Sequence, residues 1–279
     1  MRIITKDILK MYEQYLINDE KANLTVEKYM RDVLHFYRLH ESRELKKADI
    51  MDYKNDLLGQ YAVTSVNSML SSLNNFFAFM GWHELRVKTV RIQKQLFSGE
   101  DKSLDKSEYQ KLINAARKNK KEQLSLIMQC ICSTGIRVSE LKYITAEALE
   151  KEKTEITNKG KRRVVFLPHK LCKILKAYIK QQKISSGPVF VTKNGKPLDR
   201  SNICNNMKKL CKEAGVAREK VFPHNLRHLF ARTYYSMQKD IVRLADILGH
   251  SGINTTRIYT METGEIHKKQ IQNLGLLLC

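Results

Sequence analysis

The 279-residue sequence contains few residues that interrupt helices or form disulfides: 4 prolines, 12 glycines and 6 cysteines. So little proline and glycine excludes a collagen-like or low-complexity chain, and 42% hydrophobic residues indicate a globular, helix-rich protein. The cysteines form no CxxC pair, which argues against a disulfide scaffold and against a zinc site.

Long apolar runs are missing as well. No run approaches the ~18 residues that a membrane-spanning helix needs. The first seven residues, MRIITKD, lack the apolar core of a signal peptide. We therefore expect a soluble, cytoplasmic protein.

Negative charge is scarce: 29 Asp and Glu stand against 50 Lys and Arg, which gives a net charge of +21. The excess lies almost entirely after residue 100, and no acidic residue occurs between Ile156 and Leu198. A solvated lysine-rich surface is the simpler interpretation, but so one-sided a stretch favours contact with a polyanion such as DNA. A DNA partner would place the protein at the nucleoid.

The first hundred residues show helical periodicity and predict a small helical bundle. The expected helices are Lys6–Asn18, Thr25–His40, with Asn23 or Thr25 as its cap, Lys47–Leu58 and Thr64–Met80. A basic connector follows over residues 86–100, with Ser98-Gly99 as a flexible point. We place the domain boundary there, between residues 1–97 and 98–279.

The second domain is expected to be mainly helical with a small three-stranded β-sheet. Residues 154–157 and 163–167 predict a hairpin around a turn at residues 158–161, and Pro188–Val191 predicts a third strand. The expected helices cover residues 105–117, with Ser103 or Asp105 as cap, 122–132, 168–183, 200–214, 224–237 and 240–248.

Arg137 is the first candidate for chemistry. It follows Thr134-Gly135-Ile136, where glycine permits a sharp entry into the next helix. An arginine on such a fixed base presents a rigid charged fork that can grip two oxygens of one phosphate. Taken alone, the simpler interpretation is an arginine at a helix start that pairs with Glu140.

His224 and Arg227 lie three residues apart in PHNLRH and so share one helix face, where one phosphate could meet both side chains. His224 and His228 could instead bind zinc, but the glutamate of HExxH is missing.

Two further segments carry candidates. LGHS, residues 248–251, ends a helix at His250, and a capped segment nearby holds Tyr259. Lys159 occupies the predicted hairpin turn. By default Tyr259 is a packing residue and Lys159 a solvated loop lysine.

Taken in chain order, these segments closely resemble the tyrosine recombinase (phage integrase) family, in the form of a Xer-like two-domain member. The motifs that carry the resemblance are TGIRVSEL (134–141), KGK (159–161), PHNLRH (223–228), LGHS (248–251) and TTRIYT (255–260). They span the second domain, and the helical first domain looks like that family's core-site DNA-binding domain. The resemblance implies a two-domain clamp around DNA without a further amino-terminal domain.

The resemblance also implies roles for individual residues. Arg137 and Arg227 would clamp the phosphate, Lys159 would be the general acid, and Tyr259 the nucleophile. His224 and His250 would be supporting groups, and Glu140 a buried organiser. Because the hairpin turn is short, Lys161 stays open as an alternative to Lys159.

The activity implied is site-specific cleavage and rejoining of DNA strands through a 3′-phosphotyrosyl intermediate, as in a Xer-type recombinase, an invertase or a transposon recombinase. The outcome, whether integration, excision, inversion or resolution, stays open. The chemistry needs no metal, cofactor or ATP, because arginine forks neutralise the phosphate charge and the phosphotyrosine keeps the bond energy.

The implied partners are double-stranded DNA with paired recombination sites and a homotetramer assembled on that DNA, with accessory DNA-bending proteins as a further candidate. The apolar tail from Ile266 to Leu278 is expected to dock on a neighbouring subunit. The alternatives are a topoisomerase-like nicking and resealing enzyme, a non-catalytic DNA-binding regulator, and a zinc hydrolase using His224 and His228.

Overall fold

A computed structural model of the chain describes residues 2–41, 43–92, 103–158, 160–192, 194–259 and 272–273. The chain divides into two compact units, Met1–Gln95 and Leu96–Cys279. The boundary predicted between residues 97 and 98 lies two residues from this division. The apolar tail lies outside the described residues, apart from positions 272 and 273.

The first unit is built from amphipathic helices around an aromatic core. Its helices are α1 (Lys6–Asn18), α2 (Asn23–Leu39), α3 (Lys47–Gln60) and α4 (Val63–Phe79), followed by a 3-10 turn at His83–Leu85. Each lies within two residues of its predicted bounds. The residues at helical spacing, among them Tyr12, Phe36 and Phe76, are fully buried against one another.

The caps of these helices were predicted less well than their bodies. Thr5 caps α1 by accepting a hydrogen bond from the Ile8 N–H at 3.3 Å. The cap of α2 is Ala22, which makes no side-chain bond, so the prediction of Asn23 or Thr25 is wrong. Both residues lie inside the first turn, where their side chains no longer flank the helix start.

The second unit is also mainly helical. Its helices are α5 (Lys106–Lys118), α6 (Glu122–Thr134), α7 (Ala146–Glu150), α8 (His169–Gln181), α9 (Arg200–Lys208), α10 (Cys211–Ala214), α11 (Pro223–Gln238), α12 (Ile241–Leu248) and α13 (Ile253–Thr256). Further 3-10 turns cover Val138–Tyr143, Arg218–Lys220 and Arg257–Tyr259. Asp105 caps α5 in a reciprocal pair with Glu108, which decides between the two predicted caps.

Two helical predictions needed correction. The single helix expected over residues 200–214 is split into α9 and α10 by a turn at Lys209 and Leu210. The helix expected to resume at Arg137 is a 3-10 turn.

The sheet has two strands in the described residues instead of three. Strands β1 (Lys153–Asn158) and β2 (Lys161–Phe166) pair antiparallel as the predicted hairpin. Pro188–Val191 forms only isolated bridges, Thr145 with Pro188 and Val191 with Pro197. Prolines take part in both bridges, and proline has no N–H to continue a ladder.

Each unit has its own hydrophobic core, and α6 lies at the centre of the second. Its buried side chains include Leu126, Met128, Cys130 and Ile131, which lie among residues of the neighbouring helices. Among the residues that the structure describes, no helix is both long and apolar enough to cross a membrane.

Candidate active site

The end of α6 fixes the backbone from which Arg137 projects. Gly135 ends the helix in the left-handed conformation, with φ +67°. A Cβ atom at this position would lie 2.5 Å from Cδ1 of Phe230 on α11, so glycine is needed for packing as well as for backbone conformation. The close approach of these two segments brings Arg137 and α11 into one site.

Arg137 and Glu140 form a tight pair at the start of the next turn. The Arg137 N–H donates to Glu140 Oε2 at 2.7 Å, and its Nη1 donates to Oε1 at 2.9 Å. The pairing considered as the simpler interpretation of Arg137 is therefore present. Arg137 can still contact a further partner, because a third of its side chain remains exposed.

Arg163 on β2 grips the same carboxylate and was missed as a site residue. Its Nη2 donates to Glu140 Oε2 at 2.7 Å and its Nη1 to Oε1 at 3.2 Å. Burial alone would raise the pKa of the Glu140 carboxyl, but the Arg137 N–H and the Arg163 guanidinium outweigh it and hold the pKa below its ordinary value. Glu140 is thus a buried anion, 2% exposed, between two guanidinium groups.

Helix α11 places the second arginine. Pro223 occupies its first position, where a missing N–H costs nothing, so His224 and Arg227 lie within its first two turns. Arg227 is 1% exposed, and its guanidinium donates to the Gly135 carbonyl at 2.5 Å and to the Leu248 carbonyl at 2.7 Å. Arg227 thus ties together the ends of α6 and α12.

His250 is held on both of its nitrogens. Arg227 Nη2 lies 3.0 Å from Nε2, and Thr256 Oγ1 lies 2.8 Å from Nδ1. Because a guanidinium can only donate, Nε2 must accept, which places the ring proton on Nδ1 facing the Thr256 hydroxyl. Thr256 is fully buried and was also missed as a site residue, although it belongs to the TTRIYT motif.

Tyr259 packs within this histidine cluster. Its ring stacks on His250 with centroids 6.0 Å apart and meets His228 edge-on at 4.7 Å. His228 meets His224 in the same way at 4.6 Å. Tyr259 is 4% exposed, so it is a packed residue, as the simpler interpretation predicts. The residues it packs against are those of the candidate site.

Burial and, after it, the positive charge of the site lower the pKa values of its basic groups. Burial and the charges of Arg227 and Arg137 lower the pKa of His250 to about 4. Burial and His224 do the same for His228, to about 4. Burial and Arg137 lower the pKa of Arg227 to about 10, so this guanidinium is still charged at neutral pH.

The structure thus brings together five of the six predicted site residues: Arg137, His224, Arg227, His250 and Tyr259. The sixth, Lys159, lies outside the described residues, as does the side chain of its alternative Lys161. Within the described ranges, no group of three or more His, Cys, Asp or Glu side chains is arranged to hold a metal ion. His224 and His228 therefore have no third zinc ligand in that part of the chain.

Comparison with known proteins decides the family. The model of the phage integrase family matches residues 102–265, and that of the phage integrase N-terminal SAM-like domain matches residues 9–84. The chain belongs to the phage integrase family. Each unit of this family member thus contains one of the two matches, and the match over residues 102–265 contains every candidate site residue.

Named relatives of this integrase-family chain are tyrosine recombinases. Tyrosine recombinase XerA of Pyrococcus furiosus is 29% identical over 99% of this chain and 96% of its own length. Tyrosine recombinase XerH of Campylobacter jejuni is 30% identical over 82% of this chain and 71% of its own. A crystal structure of a lambda integrase tetramer bound to a Holliday junction has the same fold, with a TM-score of 0.72 at 19% identity over 91% of this chain and 76% of that one.

Proposed function

We propose that this protein is a site-specific DNA recombinase in which Tyr259 attacks a DNA phosphate held by Arg137 and Arg227. One observation carries the proposal: the Tyr259 ring stacks on His250, whose Nε2 accepts from the Arg227 guanidinium. A phenol, a neutral imidazole and a permanent cation thus lie in one small cluster.

In this mechanism the Tyr259 oxygen forms a bond to phosphorus and the bond to the 5′ oxygen breaks. The two arginines neutralise the charge that develops on the phosphate oxygens, which in a water-poor site is the largest contribution to rate. His250 is neutral above pH ~4, so its imidazole can act as the base that takes the phenol proton.

The leaving 5′ oxygen needs a proton of its own. We assign that role to Lys159 in the β1–β2 turn, with Lys161 as the alternative, and a supporting role at the phosphate to His224. The 3′-phosphotyrosine keeps the energy of the broken bond. Attack by a 5′-hydroxyl of a partner strand on the phosphorus then breaks the phosphotyrosyl bond, Tyr259 leaves and takes back a proton, and the DNA is resealed without ATP.

The proposal extends to assembly. Exchange between two DNA sites needs four active centres, and lambda integrase has been solved as a tetramer bound to a Holliday junction. We assign the first unit to core-site DNA binding, the second to catalysis, and the apolar tail from Ile266 to Leu278 to docking on a neighbouring subunit. The nucleoid as location and DNA-bending accessory proteins as partners follow from the same role.

Tyr259→Phe tests the nucleophile. Nicked duplexes that become covalently attached to the parent protein are first selected from a random-sequence library under denaturing conditions. Tyr259→Phe removes one oxygen and keeps the ring contacts, so it should bind these duplexes with parental affinity in fluorescence anisotropy. It should give no SDS-resistant protein–DNA band.

Tyr234→Phe is the matched control, since Tyr234 is a partly buried tyrosine of α11 in the same apolar cluster. It should keep the band. A band from Tyr259→Phe would move the nucleophile elsewhere, with Tyr234 and Tyr235 the next candidates. Failure of the selection to yield any duplex attached to the parent would favour a DNA-binding regulator. Covalent attachment without exchange between two labelled duplexes would favour a topoisomerase-like enzyme.

A further inference from the structure

Arg163 occupies an unexpected position for a charged residue. In the β1–β2 register it lies opposite Ile156, and the neighbouring inward pair is Thr154 with Val165. Ile156, Thr154 and Val165 are each at most 7% exposed, so Arg163 belongs to the buried face of the hairpin. Its own side chain is 13% exposed. A guanidinium on such a face needs a specific partner.

That partner is Glu140, which Arg163 grips with both Nη atoms. The same two carboxylate oxygens also accept from the backbone and the side chain of Arg137. The carboxylate is therefore shared: its position, and with it the direction of the Arg137 fork, depends on Arg163.

Arg163 also lies against the segment that carries His250. A Cβ atom at Gly249 would fall 2.6 Å from Arg163 Nη1 and 2.7 Å from its Cδ. Gly249 ends α12 in the left-handed conformation, with φ +64°, directly before His250. The glycine of LGHS thus makes room for an arginine that is distant in sequence.

We propose that Arg163 is a positioning residue that joins the β1–β2 hairpin to the phosphate site, by fixing Glu140 and Arg137 on one side and lying across Gly249 on the other. The inference rests on the proposed recombinase function, because its effect is measured on DNA cleavage. It adds a residue and a contact, Arg163 on Gly249, to the site.

The test is single-turnover cleavage at saturating concentrations of the selected duplex. Arg163→Met keeps the length of the stem but removes the fork, and a misplacement of ~1 Å at Arg137 is expected to slow cleavage about 10²-fold. Arg163→Lys keeps the charge without the bidentate geometry and should recover only part of the rate. Arg162→Met removes an equal charge from the exposed face of the same strand and measures the effect of charge alone.

A second substrate separates positioning of Arg137 from positioning of the hairpin lysine. A duplex with sulfur in place of the bridging 5′ oxygen has a leaving group that needs no proton donor. If Arg163 acts through Glu140 and Arg137, Arg163→Met should be slowed about equally on both duplexes. A defect confined to the oxygen duplex would overturn this and assign the effect to the general acid.

A double-mutant cycle tests the contact with Gly249. Gly249→Ala should slow cleavage in the parent, because the new methyl group displaces Arg163 from Glu140, and should slow it much less in Arg163→Ala, which has no side-chain atom beyond Cβ to meet that methyl group. Strictly multiplicative losses would refute the contact. Parental cleavage by Arg163→Met would refute the whole inference, and thermal unfolding identifies a variant that does not fold, in which case Arg163→Lys decides. If no duplex can be selected by covalent attachment to the parent, it is the proposed function that fails.

Discussion

Replacing Glu140 by Gln tests whether the buried carboxylate organises the site. Glu140 accepts four hydrogen bonds, two from Arg137 and two from Arg163. An amide can accept with only one of its two ends, and its NH₂ group would face guanidinium N–H groups. Removing one partner of a buried ion pair costs about 3 to 5 kcal/mol, and because Arg137 is a third exposed to water we expect about 3 kcal/mol.

Calorimetry measures this loss directly. For a folded unit of ~150 to 250 residues, 1 kcal/mol corresponds to about 2 to 4 °C, so the transition of the second unit should fall by about 6 to 12 °C. Trp82 is the single tryptophan and packs on Phe76 and Phe77 in the first unit, so its fluorescence follows the other unit as an internal reference. Glu150→Gln is the matched control, since its pair with Lys176 is exposed, and it should leave the transition unchanged.

The pH dependence of the Glu140→Gln difference has a defined sign. The folded pKa of Glu140 lies below the ordinary value of 4.5, so its charge stabilises the fold fully above about pH 4.5. The advantage of the parent over the variant should shrink as the pH falls through the lowered folded value. A loss below about 1 kcal/mol at pH 7 would refute the claim that this carboxylate holds the two arginines in place.

Two further predictions concern packing and titration. Gly135→Ala should lower the free energy of unfolding by about 2 to 4 kcal/mol, because it adds backbone strain in the left-handed region and a clash with Phe230. Gly215→Ala, at φ +61° with open space around it, should add only the strain and cost about 1 kcal/mol. Equal losses for the two variants in urea unfolding would contradict the clash. His228 and His250 have folded pKa values of about 4, so the unfolded chain binds their protons first and stability should fall as the pH drops from ~6.5 to 4. Histidine NMR signals that titrate near 6.5 in the free protein would show that the cluster is wetter than the structure indicates.

The parts of the fold that could be predicted are those with strong local signals. Helices α1 to α4 repeat apolar residues at helical spacing, and their bounds were predicted within two residues. The hairpin was predicted from its change of period. The third strand was wrong, because an apolar tetrapeptide carries no information about its partners, and here those partners are a proline-containing loop and the residue before α7.

The same distinction explains the site. Arg137, Arg227, His250 and Tyr259 were predicted because they belong to ordered motifs, although no single motif was decisive. Arg163 was not predicted as a site residue, because it lies among many lysines and arginines in the segment from Ile156 to Leu198. The sequence did contain a signal for Arg163. Side chains alternate between the two faces of β2, so Arg163 shares a face with Val165, and a charged residue on the same face as a buried valine indicates a specific partner.

The balance of charge in the site explains why it is suited to DNA. Arg137, Arg163 and Arg227 approach Glu140 and His250, and their combined field together with burial keeps His250 neutral. Adding a phosphate would supply negative charge where the arginines repel one another, which raises the pKa of His250 towards its ordinary value. If Tyr259 is the nucleophile, as proposed, its proton would find a stronger base in His250 once substrate is bound than before. On the proposed mechanism, a nucleophile that is packed and inactive in the free protein becomes reactive through the charge of the substrate it attacks.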